Sequence, residues 1–424
     1  MMPYIVLMFF LTVMMGLPLF FAFGVAASVA CLVGGLPLEA IAQQMMIGMD
    51  SFCLLAIPGF ILIGDIMCEG GIAKRAVDFC VALIGHFRGG LSMVAVLCGM
   101  IMGVISGSAV ADTAAVASVL VPSMEEEKYP RDFSAAVVAT AGPLGNIIPP
   151  SIPMIVYSMV SGLSLLDLFL AGYIPGMMIG FSLMGYCYFV SRKKGYGSST
   201  ARFSGKQIAV TFKRSALAIL TPVIIVGGIV SGVFTPTESS MVGVVYCLIV
   251  AIHVYKELRW SDMPGILLKS AKTTAKLVVI IGIGSVFSYI CISEGIPEMF
   301  KNFMIGLSSN KLVILLVLNV FLFFLGCIMD ILVATIILVP VLIPLGAAVG
   351  IDPLHMAMLF VLNMSIGLLT PPVGYSLFVA STVAKVPMER VAVASVPIVI
   401  TMVVILGMLI LFPQLSLYVP SLIH

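Results

Sequence analysis

The chain alternates between long apolar runs and short stretches that hold most of its charged residues. A helix needs about 20 apolar residues to cross a bilayer, so runs of this kind predict membrane segments. The predicted segments are 3–34 (one long or two short helices, broken at Gly16-Leu17-Pro18), 50–68, 77–85, 133–160, 168–190, 215–232, 239–255, 273–293 and 389–412, with an amphipathic piece at 296–309.

Two shorter apolar runs, 91–106 and 109–124, are joined at Gly107-Ser108. A run of this length reaches about 24 Å as a helix, which is less than the ~30 Å thickness of the hydrocarbon core. The pair favours a re-entrant hairpin with a small-residue tip, and two ordinary helices with a tight turn are the alternative. A second group of such runs lies at 311–325, 328–350 and 354–380.

The segment 133–160 is interrupted by Gly142-Pro143-Leu144-Gly145-Asn146 and again by Pro149-Pro150. In lipid an unpaired backbone group is expensive, so a broken helix survives only where protein or a water-filled cavity covers it. Interrupted segments at corresponding positions of two halves are typical of a transporter's binding site.

The interrupted region occurs twice. Residues 108–124 match 326–342 at an offset of 218, which aligns Asp112 with Asp330 and repeats Leu-Val-Pro. Residues 145–154 match 367–376 at an offset of 222, which repeats Gly-x-x-x-Pro-Pro. The order of these matches predicts an internal duplication. Identity alone leaves the relative orientation of the copies open, because inversion requires an odd number of spans between them.

Composition supports the same class of protein. The chain is 61% hydrophobic and only 9% charged, with a mean hydropathy of +1.22, whereas a soluble domain carries roughly 25% charged residues. We therefore predict an integral membrane protein. The net charge of +2 provides no basic face for nucleic acid. No Gly-rich loop followed by Lys-Ser/Thr and no Ser/His/Asp or HExxH pattern is present, so the sequence predicts neither a nucleotide-driven motor nor an enzyme.

Positive charges predict the orientation. Residues 191–214 hold seven Lys or Arg residues and residues 256–276 hold five. Two predicted helices separate these stretches, so both emerge on one side, which the positive-inside rule makes cytoplasmic. The turn at 231–238 then faces the other side, and Glu238 is expected to be an acid in the first turn of a helix.

A helix that stops inside the membrane leaves N–H groups at one end and C=O groups at the other, with partial charges of about half a unit. Carbonyl ends suit Na⁺, whereas amide ends suit a substrate carboxylate. The two intramembrane carboxylates are ligand candidates, with helix capping as the alternative. The predicted Na⁺ ligands are Ser106, Ser108, Asp112, Gly145, Ile148 and Pro150 in the first copy and Gly326, Asp330, Gly367, Thr370 and Val373 in the second, and the predicted substrate contacts are Asn146, Ser151, Asn363 and Ser365.

Four motifs together resemble the large membrane subunit of tripartite ATP-independent periplasmic (TRAP) transporters. They read SGSAVADTAAVASVLVPSM, GPLGNIIPPSIPMIVYS, VSGVFTPTES and LNMSIGLLTPPVG, in the expected order. The resemblance implies a Na⁺-coupled secondary importer of an organic acid (a sugar acid, sialic acid or a dicarboxylate) in the bacterial inner membrane. It implies two partners, a small four-helix membrane subunit and a periplasmic substrate-binding protein, and no cofactor beyond Na⁺ as the coupling ion.

The predicted fold class is an all-α polytopic membrane protein. The resemblance implies that it is an inverted-repeat elevator-type transporter, in which two re-entrant helical hairpins and two broken helices move against a fixed scaffold. A self-sufficient Na⁺/dicarboxylate symporter is the alternative function, and an ion channel is disfavoured because broken helices suit occluded binding. The predicted regions are 1–90 (N-terminal helices), 91–160 (first repeat), 161–310 (central scaffold), 311–380 (second repeat) and 381–424 (C-terminal helix).

Overall fold

The computed structural model describes residues 7–422 apart from 10, 13, 14, 18, 35, 36, 38 and 198–204, and for residues 19, 20, 104–106 and 207 the description is confined to the backbone. All regular secondary structure in this part of the chain is helical. The α-helices are α1 (Leu19–Gly34), α2 (Glu39–Met49), α3 (Ala56–Glu69), α4 (Ile72–Ile84), α5 (Gly90–Ser106), α6 (Ala109–Glu126), α7 (Arg131–Ala139), α8 (Ala141–Ile147), α9 (Ile152–Ser161), α10 (Leu165–Lys194), α11 (Gly205–Val230), α12 (Pro236–Ile249), α13 (Met263–Ser293), α14 (Ile296–Leu307), α15 (Lys311–Gly326), α16 (Ile331–Val349), α17 (Pro353–Gly367), α18 (Tyr375–Ala384), α19 (Met388–Leu411) and α20 (Gln414–Leu417).

Eight helical segments among the described residues are long and apolar enough to cross a membrane, which confirms the prediction of a multi-pass membrane protein. They are Phe52–Glu69, Arg131–Ser161, Leu165–Lys194, Ile208–Val230, Pro236–Val254, Trp260–Ser293, Ile331–Val349 and Met388–Leu411.

The helices that follow the basic stretches begin earlier than predicted. Helix α11 starts at Gly205 and α13 at Met263, although the predicted membrane helices began only at 215 and 273. Lysine is a good helix former, and its long side chain can carry the charge to the membrane surface. A prediction that counts only apolar residues therefore places the start of these helices too late. Arg202, one of the seven basic residues counted in 191–214, lies outside the described residues.

One further helix was not predicted, and two other local predictions are confirmed. Helix α2 was not predicted, because its Gln43-Gln44 pair interrupts the apolar run. The amphipathic piece at 296–309 is confirmed as α14. Glu238 is confirmed in the first turn of α12, where it forms a capping box with Thr235. The Thr235 N–H donates to the Glu238 carboxylate at 2.8 Å.

The two repeats form one body with reciprocal packing. We name α5 and α6 hairpin 1, α7–α9 broken helix 1, α15 and α16 hairpin 2, and α17 and α18 broken helix 2. The first arm of each hairpin packs on the first half of its own broken helix, α5 on α8 and α15 on α17. The second arm crosses to the other copy, so that α6 packs on α18 and α16 on α9. The same contact is thus made in both directions between the two copies.

The remaining long helices surround this body. Helices α1, α2 and α3 pack along α13, while α3 also packs on α12 and α4 packs on α11. Helices α10 and α19 contact each other and lie directly against hairpin 1 and broken helix 1 respectively. The long helix α13 touches the second arm of hairpin 2. Most of the broken helices is thus covered by protein, in keeping with the cost of unpaired backbone groups in lipid.

Candidate functional site

The first break separates α8 from α9. Helix α8 ends at Ile147, after which Ile148 and Ser151 adopt extended conformations. The Ser151 hydroxyl donates to the carbonyl oxygen of Asn146 at 2.6 Å. This bond pairs one of the carbonyls that the end of α8 would otherwise leave without a partner. Ser151, predicted to contact substrate, therefore also joins the two sides of the break.

The tip of hairpin 1 lies beside this break. Gly107 has a φ of +58°, a left-handed conformation that glycine adopts without penalty. A Cβ added to Gly107 would lie 3.3 Å from the carbonyl oxygen of Pro150 and 3.2 Å from the amide nitrogen of Ile152. The hairpin thus stops at the middle of broken helix 1 rather than at its end. The tip that carries Ser106 and Ser108 therefore meets the predicted ligands of the first break, although the Ser106 side chain is outside the description.

Gly145 allows the closest packing in the first copy. A Cβ at this residue would overlap the Oδ2 atom of Asp112 and would approach the Cα of Gly103 to 3.2 Å. Asp112 itself is fully buried, and its amide donates to the carbonyl of Ser108 at 2.9 Å. The Asp112 carboxylate therefore lies directly against α8, next to the residue that was predicted to share a cation with it.

The second break separates α17 from α18 and is closed by backbone bonds. The amide of Val373 donates to the carbonyl of Cys327 at the tip of hairpin 2, at 3.2 Å. The amide of Ser376 donates back across the break to the carbonyl of Leu368, also at 3.2 Å. A Cβ at Gly367 would overlap the backbone of Gly326. The tip and the break therefore meet here as they do in the first copy.

Asp330 and Thr370 have local partners in the second copy. Asp330 is the N-cap of α16, and its Oδ1 accepts the amide of Leu332 at 2.9 Å. The Thr370 hydroxyl donates to the carbonyl of Ile366 at 3.1 Å. Asp330 therefore has the geometry of a helix cap, which the sequence had left open beside the ligand role.

Two predicted substrate residues, Asn363 and Ser365, are buried within the helix packing. Asn363 Nδ2 donates to the Asn319 carbonyl at 2.8 Å and to its Oδ1 at 2.9 Å, which ties α17 to the first arm of hairpin 2. The Ser365 hydroxyl donates to the carbonyl of Val361 at 2.6 Å. Both residues have 0% exposure. In this conformation these contacts stabilise the helices and present neither side chain at a surface.

The two breaks differ in access. Pro149 and Pro150 are buried, as are Ile148 and Ser151 on either side. Pro371 and Pro372 are exposed, and the neighbouring Thr370 and Val373 are partly exposed. Both Pro-Pro bonds are cis. One break is thus enclosed by the chain, while the other is open at its surface.

Polar residues outside the predicted set also lie in this body. Asn319 pairs with Asn363, as described above. Thr113 and Ser376 are fully buried, and within the described residues their hydroxyl oxygens have no hydrogen-bond partner. In the sequence, the feature that could have identified Thr113 as a candidate was its position beside Asp112. For Ser376 it was its place at the end of the repeated segment 367–376.

Two hairpins that each meet a broken helix, inside a multi-pass apolar chain, define a class of protein. Secondary transporters bind ions and substrates at membrane depth between the ends of discontinuous helices. The fold and the site are therefore those of a membrane transporter.

Comparison with known proteins gives the family. Residues 6–415 match the model of the tripartite ATP-independent periplasmic transporter, DctM component, and the chain belongs to this family. It is 38% identical to the sialic acid TRAP transporter large permease protein SiaM of Vibrio cholerae, over 90% of this chain and 89% of that protein. It is 39% identical to the C4-dicarboxylate TRAP transporter large permease protein DctM of Pseudomonas aeruginosa, over 88% of this chain and 87% of that protein.

A solved structure has the same overall fold. The crystal structure of the YdaH transporter of Alcanivorax borkumensis superposes with a TM-score of 0.64, covering 92% of this chain and 96% of that one at 13% identity. At this level of identity the likeness concerns the fold alone.

Proposed function

We propose that this chain is the large membrane subunit of a Na⁺-coupled, binding-protein-dependent importer of a carboxylate-containing organic acid. The observation that carries the proposal is the meeting of each hairpin tip with a broken helix, at Gly107 beside Pro150 and at Cys327 beside Val373. At both places helix ends and main-chain oxygens converge inside an apolar body. Such ends are suited to Na⁺ and to a carboxylate, and no nucleotide site is needed to use them.

The order of spans supports an inverted repeat. Five candidate spans lie between hairpin 1 and hairpin 2, beginning with Arg131–Ser161 and ending with Trp260–Ser293. If each hairpin enters and leaves on one side of the membrane, an odd number of crossings puts their openings on opposite sides. Lys193 and Lys194 at the end of α10 put the opening of hairpin 1 on the cytoplasmic side by the positive-inside rule. In this arrangement the two hairpins face opposite compartments.

The Na⁺ sites are proposed at the two breaks. In the first, carbonyl oxygens of Gly145, Ile148 and Pro150 join the hairpin tip and the Asp112 carboxylate. In the second, carbonyl oxygens of Gly326, Gly367 and Val373 join Thr370. Each net positive charge that moves into the cell down the membrane potential contributes about 2.3 kcal/mol per 100 mV to transport. Two cations carried with one anion would therefore drive accumulation.

The substrate is proposed to bind through its carboxylate near the first break. The relatives are named for sialic acid and C4-dicarboxylates, which share that group. Helix α9 begins at Ile152 inside the body, and free N–H groups of a helix start attract anions. Asn146 lies in the same break, and its Nδ2 has no hydrogen-bond partner among the described residues. Asn146 and Ser151 are thus the proposed substrate contacts, while Asn363 and Ser365 are proposed to support them from within the helix packing.

An elevator movement is proposed for the body of hairpins and broken helices. Its parts pack reciprocally on one another, and the helices around α13 pack mainly among themselves while contacting one arm of each hairpin. The difference in access between the two breaks supports alternating exposure, since one break is buried while the other is open. Membership of a family whose chains are components of tripartite periplasmic transporters supports two partners, a small membrane subunit and a periplasmic binding protein, in the bacterial inner membrane.

Uptake into proteoliposomes tests the function. The chain is reconstituted with its proposed small subunit, and the binding protein is added outside with radiolabelled sialic acid or succinate. We expect uptake only with an inward Na⁺ gradient, stimulated by a negative interior. Full uptake in choline buffer would contradict Na⁺ coupling. Robust uptake by the chain alone would instead favour the self-sufficient Na⁺/dicarboxylate symporter.

A further inference from the structure

A polar cluster that belongs to neither break lies where hairpin 1 meets both broken helices. A Cβ added to Gly142 would overlap the Oγ of Ser376 and lie 2.9 Å from both the Oγ1 of Thr113 and the carbonyl oxygen of Ala109. Three oxygens from two segments of the chain, two on α6 of hairpin 1 and one on α18 of broken helix 2, therefore lie together against Gly142 of α8. Because Gly142 has no side chain, all three can approach one another beside its Cα.

The two hydroxyls in this cluster lack hydrogen bonds. Thr113 and Ser376 each have 0% exposure, and neither hydroxyl oxygen has a partner within the described part of the chain. A buried hydroxyl without a partner is costly. Threonines in helices ordinarily bond to the carbonyl four residues earlier, as Thr335 does to Ile331 at 2.6 Å. Thr113 makes no such bond, although the Ala109 carbonyl is close.

We propose that Thr113, Ser376 and the Ala109 carbonyl form a third Na⁺ site, which rests on the proposed Na⁺ coupling and adds to the sites at the breaks. Hard cations are bound by hydroxyl, carbonyl and carboxylate oxygens. The Asp112 carboxylate lies against Gly145, one helical turn along α8 from Gly142. It adds negative charge near the cluster and opposes the binding of an anion there.

The structurally equivalent positions of the other copy differ from this cluster. The second arms begin at Ala109 and Ile331, an offset of 222 that also relates Gly145 to Gly367. This offset places Thr335 opposite Thr113, Met154 opposite Ser376 and Met364 opposite Gly142. Thr335 is buried and donates to the carbonyl of Ile331 at 2.6 Å, while Met154 and Met364 are buried and apolar. The equivalent helix junction is thus packed with a bonded hydroxyl and two methionines, so packing does not require the unbonded oxygens of the cluster.

The location of the cluster gives the site a role. Helix α6 belongs to the first copy and α18 to the second, and the cluster joins them across their contact. An ion bound there would hold the second arm of hairpin 1 to the second half of broken helix 2. Its release would loosen the link between the two copies, so this site would couple Na⁺ occupancy to the packing of the mobile body.

The test measures binding of ²²Na⁺ to the purified complex of the chain and its small subunit in nanodiscs. The variants are Thr113→Val, Ser376→Ala and the double variant, with choline replacing Na⁺ in the reference buffer. Matched controls are Thr335→Val and Ser240→Ala, whose buried hydroxyls already bond to the carbonyls of Ile331 and Thr237. We expect each single variant to weaken one class of Na⁺ site by about 10- to 100-fold, the range for losing one interaction with a charged group. The double variant should bind one Na⁺ fewer per chain, and the controls should match the wild type.

Unchanged stoichiometry and affinity in the double variant, with normal binding by the wild type, would overturn the third site and identify the cluster as a pocket for water. Absence of Na⁺ binding by the wild type would overturn both the third site and the proposed coupling, so the two failures are distinguishable. If the double variant does not fold, Gly142→Ala provides an independent route, because its methyl group would force the three oxygens apart. Full Na⁺ stoichiometry in a folded Gly142→Ala chain would also overturn the site.

Discussion

The two copies share their packing but differ where the second arm of each hairpin begins. In hairpin 1 the turn consists of Gly107 and Ser108, and α6 starts one turn before Asp112. In hairpin 2 the aligned residues 327–330 are not helical, and α16 starts only after Asp330. The same acid, at aligned positions, is therefore enclosed in a helix in one copy and caps a helix in the other. Alignment of a functional residue within a repeat does not transfer its role.

The first arms differ as well. Gly103 packs on Gly145 and Gly326 packs on Gly367. The residues of these two contacts are related by an offset of 222 to 223, which agrees with the offset of 222 between the broken helices and differs from the offset of 218 between the two acids. The Gly326 contact lies at the tip itself, whereas the Gly103 contact lies one turn below it. Hairpin 1 therefore reaches past its glycine contact, and its tip can lie over the buried break.

The largest effect is expected at the glycine contacts. In Gly367→Ala the new methyl group would overlap the backbone of Gly326, which cannot move aside, while in Gly145→Ala the main obstacle is the end of the Asp112 side chain. Overpacking costs about 1–3 kcal/mol, and we expect Gly367→Ala to lose more folded protein and transport than Gly145→Ala. Thermal unfolding in detergent measures this. Gly407→Ala on α19, where a Cβ meets nothing within 4 Å, is the control, and equal losses at 145 and 367 would contradict the comparison.

The difference in access predicts unequal labelling of the two breaks. In a background without the nine native cysteines, Val373→Cys should react readily with a membrane-impermeant maleimide in open membranes. Ile148→Cys, at a residue that is 3% exposed, should remain largely unlabelled until the chain is denatured. Equal reaction rates would show that both breaks are open. Protection of Val373→Cys by Na⁺, but not by choline, would strengthen the proposal of an ion at the second break.

Neutralising the two acids tests their different positions. Asp112→Asn should raise the Na⁺ concentration for half-maximal uptake by about tenfold or more, because an interaction with a charged group is lost. Asp330→Asn should have little effect, since asparagine caps a helix about as well as aspartate. Uptake is measured against Na⁺ concentration at matched membrane expression. Unchanged Na⁺ affinity in the Asp112→Asn variant would exclude that carboxylate as a ligand.

The smallest effect is expected for the bond that joins the first break. Ser151→Ala removes the donor to the Asn146 carbonyl and should reduce the free energy of unfolding by about 1 kcal/mol, the typical net value of such a bond. The second break has no comparable side chain to remove, because its bonds come from the backbone. Ser118→Ala is the matched control, since its exposed hydroxyl bonds only to the Ala115 carbonyl. A loss no larger than that of the control would mean that the bond to Asn146 contributes nothing.

The sequence predicted most of the repeated body because its glycines and prolines are unusual at membrane depth. The tip at Gly107-Ser108 and both Pro-Pro breaks lie where they were expected. It could not distinguish cap from ligand at Asp330, because that depends on where α16 begins and not on the residue type. It missed the contact of Asn319 with Asn363, since partners on different helices leave no periodic signal. The basic ends of α11 and α13 were missed because length was judged from apolar residues alone.

The early start of α13 has a further consequence for measuring movement. This helix has 31 residues and is thus about 46 Å long, whereas the hydrocarbon core is about 30 Å thick. Its basic beginning therefore extends beyond the hydrocarbon core as a helix, and there Lys269 lies 3.0 Å from Asp65 and 3.1 Å from Glu69 at the end of α3. Two paired helices provide a rigid reference point outside the bilayer. A spectroscopic label attached there would keep its height above the membrane, so that its distance to a label on a hairpin would report the displacement of the hairpin alone.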